Sequence, residues 1–261
     1  MHQKVGGTGW ANAWNSQVGD QRVGFRVGSN TLTYSNLRSN YKSFIGGHYW
    51  HRIGRTLDVS ATGALSAYVK SNGLLGKAGT TLWTSAVFQK TQDNNEETWF
   101  GLHNSNVDWY EGNTGTTNAR MLFGYFGAAN SSVNGIRYWT LRVGDTYYRT
   151  PVAIDPNTPI LMVMKLEFSA NSTTINVYIN PPNLGSGADP SSAALTLTTN
   201  TALEFQHFVV YGDNNINNFK LDEIRFAANY RCAAPDANVD ENLLPTARMS
   251  ISAITGVAPL T

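Results

Sequence analysis

Asn217-Asn218-Phe219-Lys220-Leu221-Asp222-Glu223-Ile224-Arg225-Phe226-Ala227 is the stretch whose reading decides the fold. Aromatic and branched residues alternate here with charged ones, the pattern of a strand with one face in a core. The alternation changes phase halfway. Phe219 and Leu221 share one parity, Ile224 and Phe226 the other. All four can point inward only if one extra residue is inserted near Asp222-Glu223, so a β-bulge is expected there. Without it, Asp222 would sit on the apolar face and need a partner, because an unpaired buried carboxylate is costly.

The segments before it have the same character. In Ile160–Phe168 the residues Ile160, Met162, Met164, Leu166 and Phe168 face one way, and Lys165 and Glu167 the other. In 172–179, Ile175, Val177 and Ile179 point inward and Asn176 and Tyr178 outward, and Asn180-Pro181-Pro182 ends the run. Further strands are expected at 22–27, 31–34, 43–45, 49–57, 64–70, 82–90, 97–103, 119–126, Ile136–Val143 and 203–211, with Gly, Asn and Asp turns between them. Trp10 and Trp14 are expected to pin the Gly-rich opening loop to the core. Neither a long amphipathic helix nor an internal repeat is evident. Many short strands separated by turn signals predict an all-β sandwich or barrel.

Composition narrows the function classes. Charged residues make up 14% of the chain and the formal net charge is +1. An average soluble domain is about 25% charged. Ser, Thr, Asn and Gly take the place of charge, which suits hydrogen bonding to neutral polymers, and nothing advertises nucleic acid. No apolar run is long enough for a membrane-inserted helix. Cys232 is the only cysteine, so neither an intrachain disulfide nor a cysteine metal cluster can form.

The Asp222-Glu223-Ile224-Arg225 strand, following the turn Gly212-Asp213-Asn214-Asn215, resembles the closing strand of concanavalin A-like lectin/glucanase domains of the laminin-G-like type. Gly6-Gly7-Thr8-Gly9-Trp10-Ala11-Asn12-Ala13-Trp14 resembles the opening of such domains in secreted bacterial proteins, and 159–182 resembles their two central strands. The resemblance covers residues 5–232 and implies an antiparallel jelly-roll β-sandwich with a concave and a convex sheet. Residues 1–233 are accordingly assigned to the sandwich and 234–244 to a linker. Residues 245–261, with Leu244-Pro245-Thr246-Ala247-Arg248-Met249-Ser250-Ile251-Ser252, resemble the beginning of a PKD-type immunoglobulin-like repeat. Together these resemblances imply a secreted or cell-surface location and a parent chain with other domains as neighbours.

Two chemistries are expected of such a fold. A glycoside hydrolase needs two carboxylates flanking the bond. The Glu-x-Asp-x-x-Glu strand of the family's glucanases is absent. Asp108 and Glu111 are the carboxylates that one loop can bring together, with His103 and Tyr125 as the other fallback catalytic groups. A lyase wants Arg, His and Tyr around a uronate, for which His103, Arg120, Tyr125 and Arg137 are the right types. Sugar binding without catalysis asks only for aromatic rings and polar groups. Its candidates are Trp99, His103, Trp109, Tyr110, Arg120, Tyr125, Arg137 and Trp139. By parity, Phe100 and Leu102 belong in the core, and Trp99 and His103 on the exposed concave face, with Trp109 and Tyr110 on a rim loop. The resemblance also implies a structural calcium at Asp222, and the Asp213 turn is a second candidate; calcium takes six to eight oxygens. The expectation is a non-catalytic module binding polysaccharide or another glycan, with a glucanase or lyase, or a structural spacer or protein-interaction domain, as alternatives.

Overall fold

A computed structural model describes residues 10–11, 15–17, 26–27, 32–39, 44–45, 51–104, 120–213 and 218–238. Fifteen strands and two short helices occur among them. In chain order the strands are β1 Asn15–Gln17, β2 Arg26–Val27, β3 Phe44–Ile45, β4 His51–Thr56, β5 Thr81–Lys90, β6 Thr98–His103, β7 Arg120–Tyr125, β8 Ser132–Val133, β9 Ile136–Val143, β10 Thr146–Ala153, β11 Ile160–Phe168, β12 Thr173–Ile179, β13 Leu195–Thr198, β14 His207–Gly212 and β15 Phe219–Ala227. The helices are α1 Gly127–Ser131 and α2 Tyr230–Ala233.

The strands form two sheets, antiparallel throughout. The first runs β1-β4-β14-β6-β7-β9-β10, with β8 also paired to β9. The second runs β13-β12-β11-β5-β15-β3-β2. Chain neighbours such as β14 and β15, or β5 and β6, lie in opposite sheets, which is the sandwich connectivity of a jelly roll. The fold class is therefore an antiparallel jelly-roll sandwich.

The expected bulge is present. Phe219 to Asp222 pair in register with Lys90 to Val87, and the register then shifts so that Arg225 faces Ser85. Glu223 takes φ 54° within the shift. The inserted residue restores the phase: Phe219, Leu221, Ile224 and Phe226 all lie in the main core between the sheets. Phe88, Phe100, Phe123, Trp139 and Phe208 fill its centre. Trp10 packs against it, edge-on to Phe208 and Phe226. Trp14 lies outside the described residues.

Local expectations fail in three places. Residues 64–70 are not a strand: they are turns and a short 3-10 helix at Ser66–Tyr68, with Leu65 buried. Residues 32–34 form no strand either. Tyr178 faces outward but is covered, stacked on Trp83 at 6.0 Å. A second apolar cluster there holds Trp83, Val87, Leu161, Val163 and Tyr178 beneath Leu32, Leu37 and α2. That cluster closes much of the outer face of the second sheet. Among the described residues, no helix is long and apolar enough to cross a membrane.

Candidate functional site

The outer face of the first sheet is read directly from its register. Phe100 and Leu102 of β6 are in the main core, so Trp99, Gly101 and His103 face outward. His207 and His103 are cross-strand partners, and so are His103 and Arg120. On the other side of His207 stands Thr56. Thr56, His207, His103 and Arg120 thus form one row across β4, β14, β6 and β7. In the next row Leu122 faces Arg142 and Arg142 faces Tyr147. In the third, Tyr211 faces Trp99 and Thr140 faces Arg149.

The rows are chemically linked. Thr56 Oγ1 lies 3.2 Å from His207 Nδ1, and burial holds the His207 pKa below the usual imidazole value. Arg120 Nε donates to Gly144 O at 3.1 Å, and Arg142 Nε to the same carbonyl at 3.0 Å. Both guanidinium groups also reach Asp145, in the tight turn between β9 and β10. Partial burial opposes ionisation of Asp145, but its contacts with Arg120 and Arg142 outweigh it and hold the carboxyl below its ordinary pKa. Arg142 lies under the Tyr147 ring, 4.9 Å from its centroid. Tyr147 is half-buried and Arg149 is exposed; Arg120 and Arg142 are nearly covered.

Parity placed Trp99 and His103 on this face, but the expected exposure of both is corrected: His103 is 6% exposed, and Trp99 is covered further. The ring is 1% exposed. It is stacked on Tyr211 at 4.8 Å and on Phe126 at 6.2 Å. Leu122 and Val209 complete this outer apolar patch. Trp139 is buried in the main core against Phe88 and Phe123, so its ring is closed to a sugar there. Tyr125 is fully buried, and its hydroxyl bonds to Asn95 at 3.1 Å and to Ser132 at 3.3 Å. Arg137 pairs with Asp93 at the end of the sandwich. Of the expected lyase set, His103 and Arg120 are therefore adjacent, whereas Tyr125 and Arg137 lie elsewhere. Asp108, Trp109, Tyr110 and Glu111 lie outside the described residues.

Two features were not legible in the sequence. The first is His207, whose place beside His103 depends on a strand pairing of residues far apart in the chain. The second is a polar cluster at the Arg137 end. Lys90 is fully buried there, donating to Asn94 Oδ1 at 2.7 Å and Glu96 O at 3.1 Å, with its ammonium 5.1 Å from the Tyr125 ring centroid. Burial, aided by Arg137, lowers its pKa to about 8. Beside it, burial and then the Asp213 carboxylate, which also hydrogen-bonds Glu96, raise the Glu96 pKa. Two carboxyl groups in hydrogen-bond contact are too close for glycoside hydrolysis, which separates its pair by about 5 Å or more.

Asp222 Oδ1 accepts the Glu223 backbone amide at 2.8 Å, whereas Oδ2 is buried without a hydrogen-bond partner. Burial, and then the Glu223 carboxylate, push the Asp222 pKa up to about 8. Glu223 itself is paired with Arg225. Among the described residues, no three His, Cys, Asp or Glu side chains are grouped to hold a metal ion. Asp222 alone offers a cation one bare carboxylate oxygen, against the six to eight oxygens of a calcium shell.

No protein-family model matches the chain, and no curated protein matches it. Solved structures of similar shape include the Emp46p carbohydrate recognition domain in its metal-free form, at 8% identity and TM-score 0.44, covering 83% of this chain and 88% of that one. A winged bean acidic lectin complexed with methyl-α-D-galactose matches at 10% identity and TM-score 0.40, over 81% of this chain and 95% of that one. A sialidase matches at 6% identity and TM-score 0.42; the match covers 78% of this chain and 17% of the sialidase.

Proposed function

We propose that the chain is a non-catalytic module that binds extracellular polysaccharide, or mediates adhesion through it, with the outer face of the first sheet as its ligand face. The observation that carries this reading is the make-up of that face. Imidazole, guanidinium, hydroxyl and aromatic groups stand in register on neighbouring strands, most of them covered, with Tyr147 and Arg149 as the accessible members. Among the described residues, its strands supply no carboxylate pair for acid–base hydrolysis. A secreted or cell-surface setting and neighbouring domains in a longer chain belong to the same proposal. They rest on the family resemblance of the sequence.

A uronate lyase is the second reading, favoured by the adjacency of His103 and Arg120. In that chemistry a guanidinium would neutralise the uronate carboxylate and an imidazole would take the proton α to it; the electron pair becomes a carbon–carbon double bond as the glycosidic C–O bond at the β carbon breaks, and the leaving oxygen takes a proton from water. Incubation with a panel of soluble and insoluble polysaccharides separates the readings. Protein retention and newly formed reducing or unsaturated ends are scored in the same tubes. Retention without new ends is expected; unsaturated ends abolished by His103→Gln would establish the lyase instead.

A further inference from the structure

Every charged residue that the described strands of the first sheet contribute is basic. The second sheet is mixed: Lys165 and Glu167 share β11, and Lys220, Asp222, Glu223 and Arg225 share β15. The asymmetry is thus local, because the whole chain is nearly neutral at a formal +1. Asp145, in the β9–β10 turn, offsets one of these charges, and the face keeps an excess of positive charge; such an excess on a near-neutral protein favours ligands of the opposite sign.

The basic groups are also contiguous. His103 stands beside Arg120 across the β6–β7 pair. Arg120 and Arg142 converge on Gly144 O and Asp145. Arg142 underlies the half-buried Tyr147 ring. Two residues along β10, on the same face, Arg149 is exposed and anchored by a 2.8 Å bond from its guanidinium to Ser132 O. The accessible members, Tyr147 and Arg149, offer a ring that can pack on a pyranose and a planar fork that can grip an oxyanion. The covered guanidinium groups behind them, Arg120 and Arg142, share the single carboxylate of Asp145, so the cluster keeps one net positive charge.

We infer that the ligand of this face is an anionic polysaccharide, one whose repeating sugar carries a carboxylate or an ester sulfate, gripped at Arg149 and Tyr147 over the Arg120–Arg142 pair. The inference rests on the polysaccharide-binding reading above and narrows it.

The test is retention of the whole chain on polygalacturonate, its fully methyl-esterified form, dextran sulfate, unsubstituted dextran and polyglutamate, at low and at physiological salt. Retention on polygalacturonate that is lost on esterification would support the inference and assign a carboxylate. Retention on dextran sulfate but not on dextran would support it and assign a sulfate. Arg149→Gln, an exposed change expected to leave the melting temperature in place, should weaken binding to the retained polymer about tenfold, the size of one lost charge-assisted contact. Equal retention on polygalacturonate and its ester, or on dextran and dextran sulfate, would overturn the inference while leaving the polysaccharide reading intact. Retention on polyglutamate as strong as on the acidic sugars would overturn it as mere polyanion binding. Full affinity in Arg149→Gln would remove Arg149 from the site and overturn it. Retention on none of the polymers would overturn the inference and count against the broader reading.

Discussion

Asp222 is the residue at which the account makes its sharpest physical claim. Its carboxyl is 2% exposed, and one of its oxygens lacks a hydrogen-bond partner. Its folded-state pKa of about 8 is raised above the ordinary carboxylate value, by burial first and by Glu223 second. The Glu223 and Leu32 backbone amides, and then Arg225, pull the other way without prevailing. A raised carboxyl pKa stabilises the fold most below the unfolded value. That contribution is lost as pH rises from about 4 through about 8. Asp222→Asn, which is neutral at every pH, should therefore flatten the fall in melting temperature between pH 4 and pH 8 by several degrees. The same titration tests calcium. If an ion sits on Asp222 Oδ2, millimolar calcium raises the melting temperature of the wild type and leaves that of Asp222→Asn unmoved. If the carboxyl is simply held protonated, calcium shifts neither.

At the scale of elements, β15 shows how much a strand can disclose. Its change of phase is visible because four large apolar residues must share one core, and only an inserted residue reconciles them. Other elements were less legible for physical reasons. The strand β10 was not anticipated: Arg149 and Pro151 interrupt any clean alternation, which an edge strand tolerates and a central one does not. Residues 64–70 carry enough apolar side chains to pass for a strand, yet only Leu65 of the run is buried. Trp99 shows the limit of parity. Alternation assigned its face correctly, but exposure depends on what lies over it, and Tyr211 and Phe126 come from distant segments. Gly101, between Trp99 and His103, gives a test of how tightly β6 is held. A Cβ there would collide with Met121 O and stand 2.8 Å from Leu122 Cα, both backbone atoms of β7. Gly101→Ala should cost about 2 kcal/mol or more in chemical denaturation, since the neighbouring strand cannot yield. Gly187→Ala, with nothing within 4 Å of the added carbon, should stay within about 0.5 kcal/mol.

At the scale of the whole molecule, the two outer faces differ in what covers them and in sign. The second sheet hides Trp83 and Tyr178 beneath α2 and Leu32. Beyond that cover it presents a hydroxyl and amide ladder, in which Thr196 Oγ1 bonds to Asn176 Oδ1 at 2.8 Å and Thr174 lies 3.1 Å from Thr198. On the first sheet the histidine and arginine rows are buried, and Tyr147 and Arg149 are their accessible edge. The sequence announced a sandwich and supplied His103 and Arg120 as candidates, because the strand pattern and residue types are local properties. It did not disclose His207 or the shared Asp145, since both meet their partners only through sheet register and turn geometry. The measurement that tests the central claim most directly is a chemical-shift map of the protein, backbone and arginine side chains included, titrated with a short oligosaccharide of whichever polysaccharide retains it. Shifts concentrated at His103, Arg120, Arg142, Tyr147 and Arg149 are the expected result. Shifts confined to the Thr174, Asn176, Thr196 and Thr198 ladder, or to the Lys90 and Asp213 end, would contradict the account.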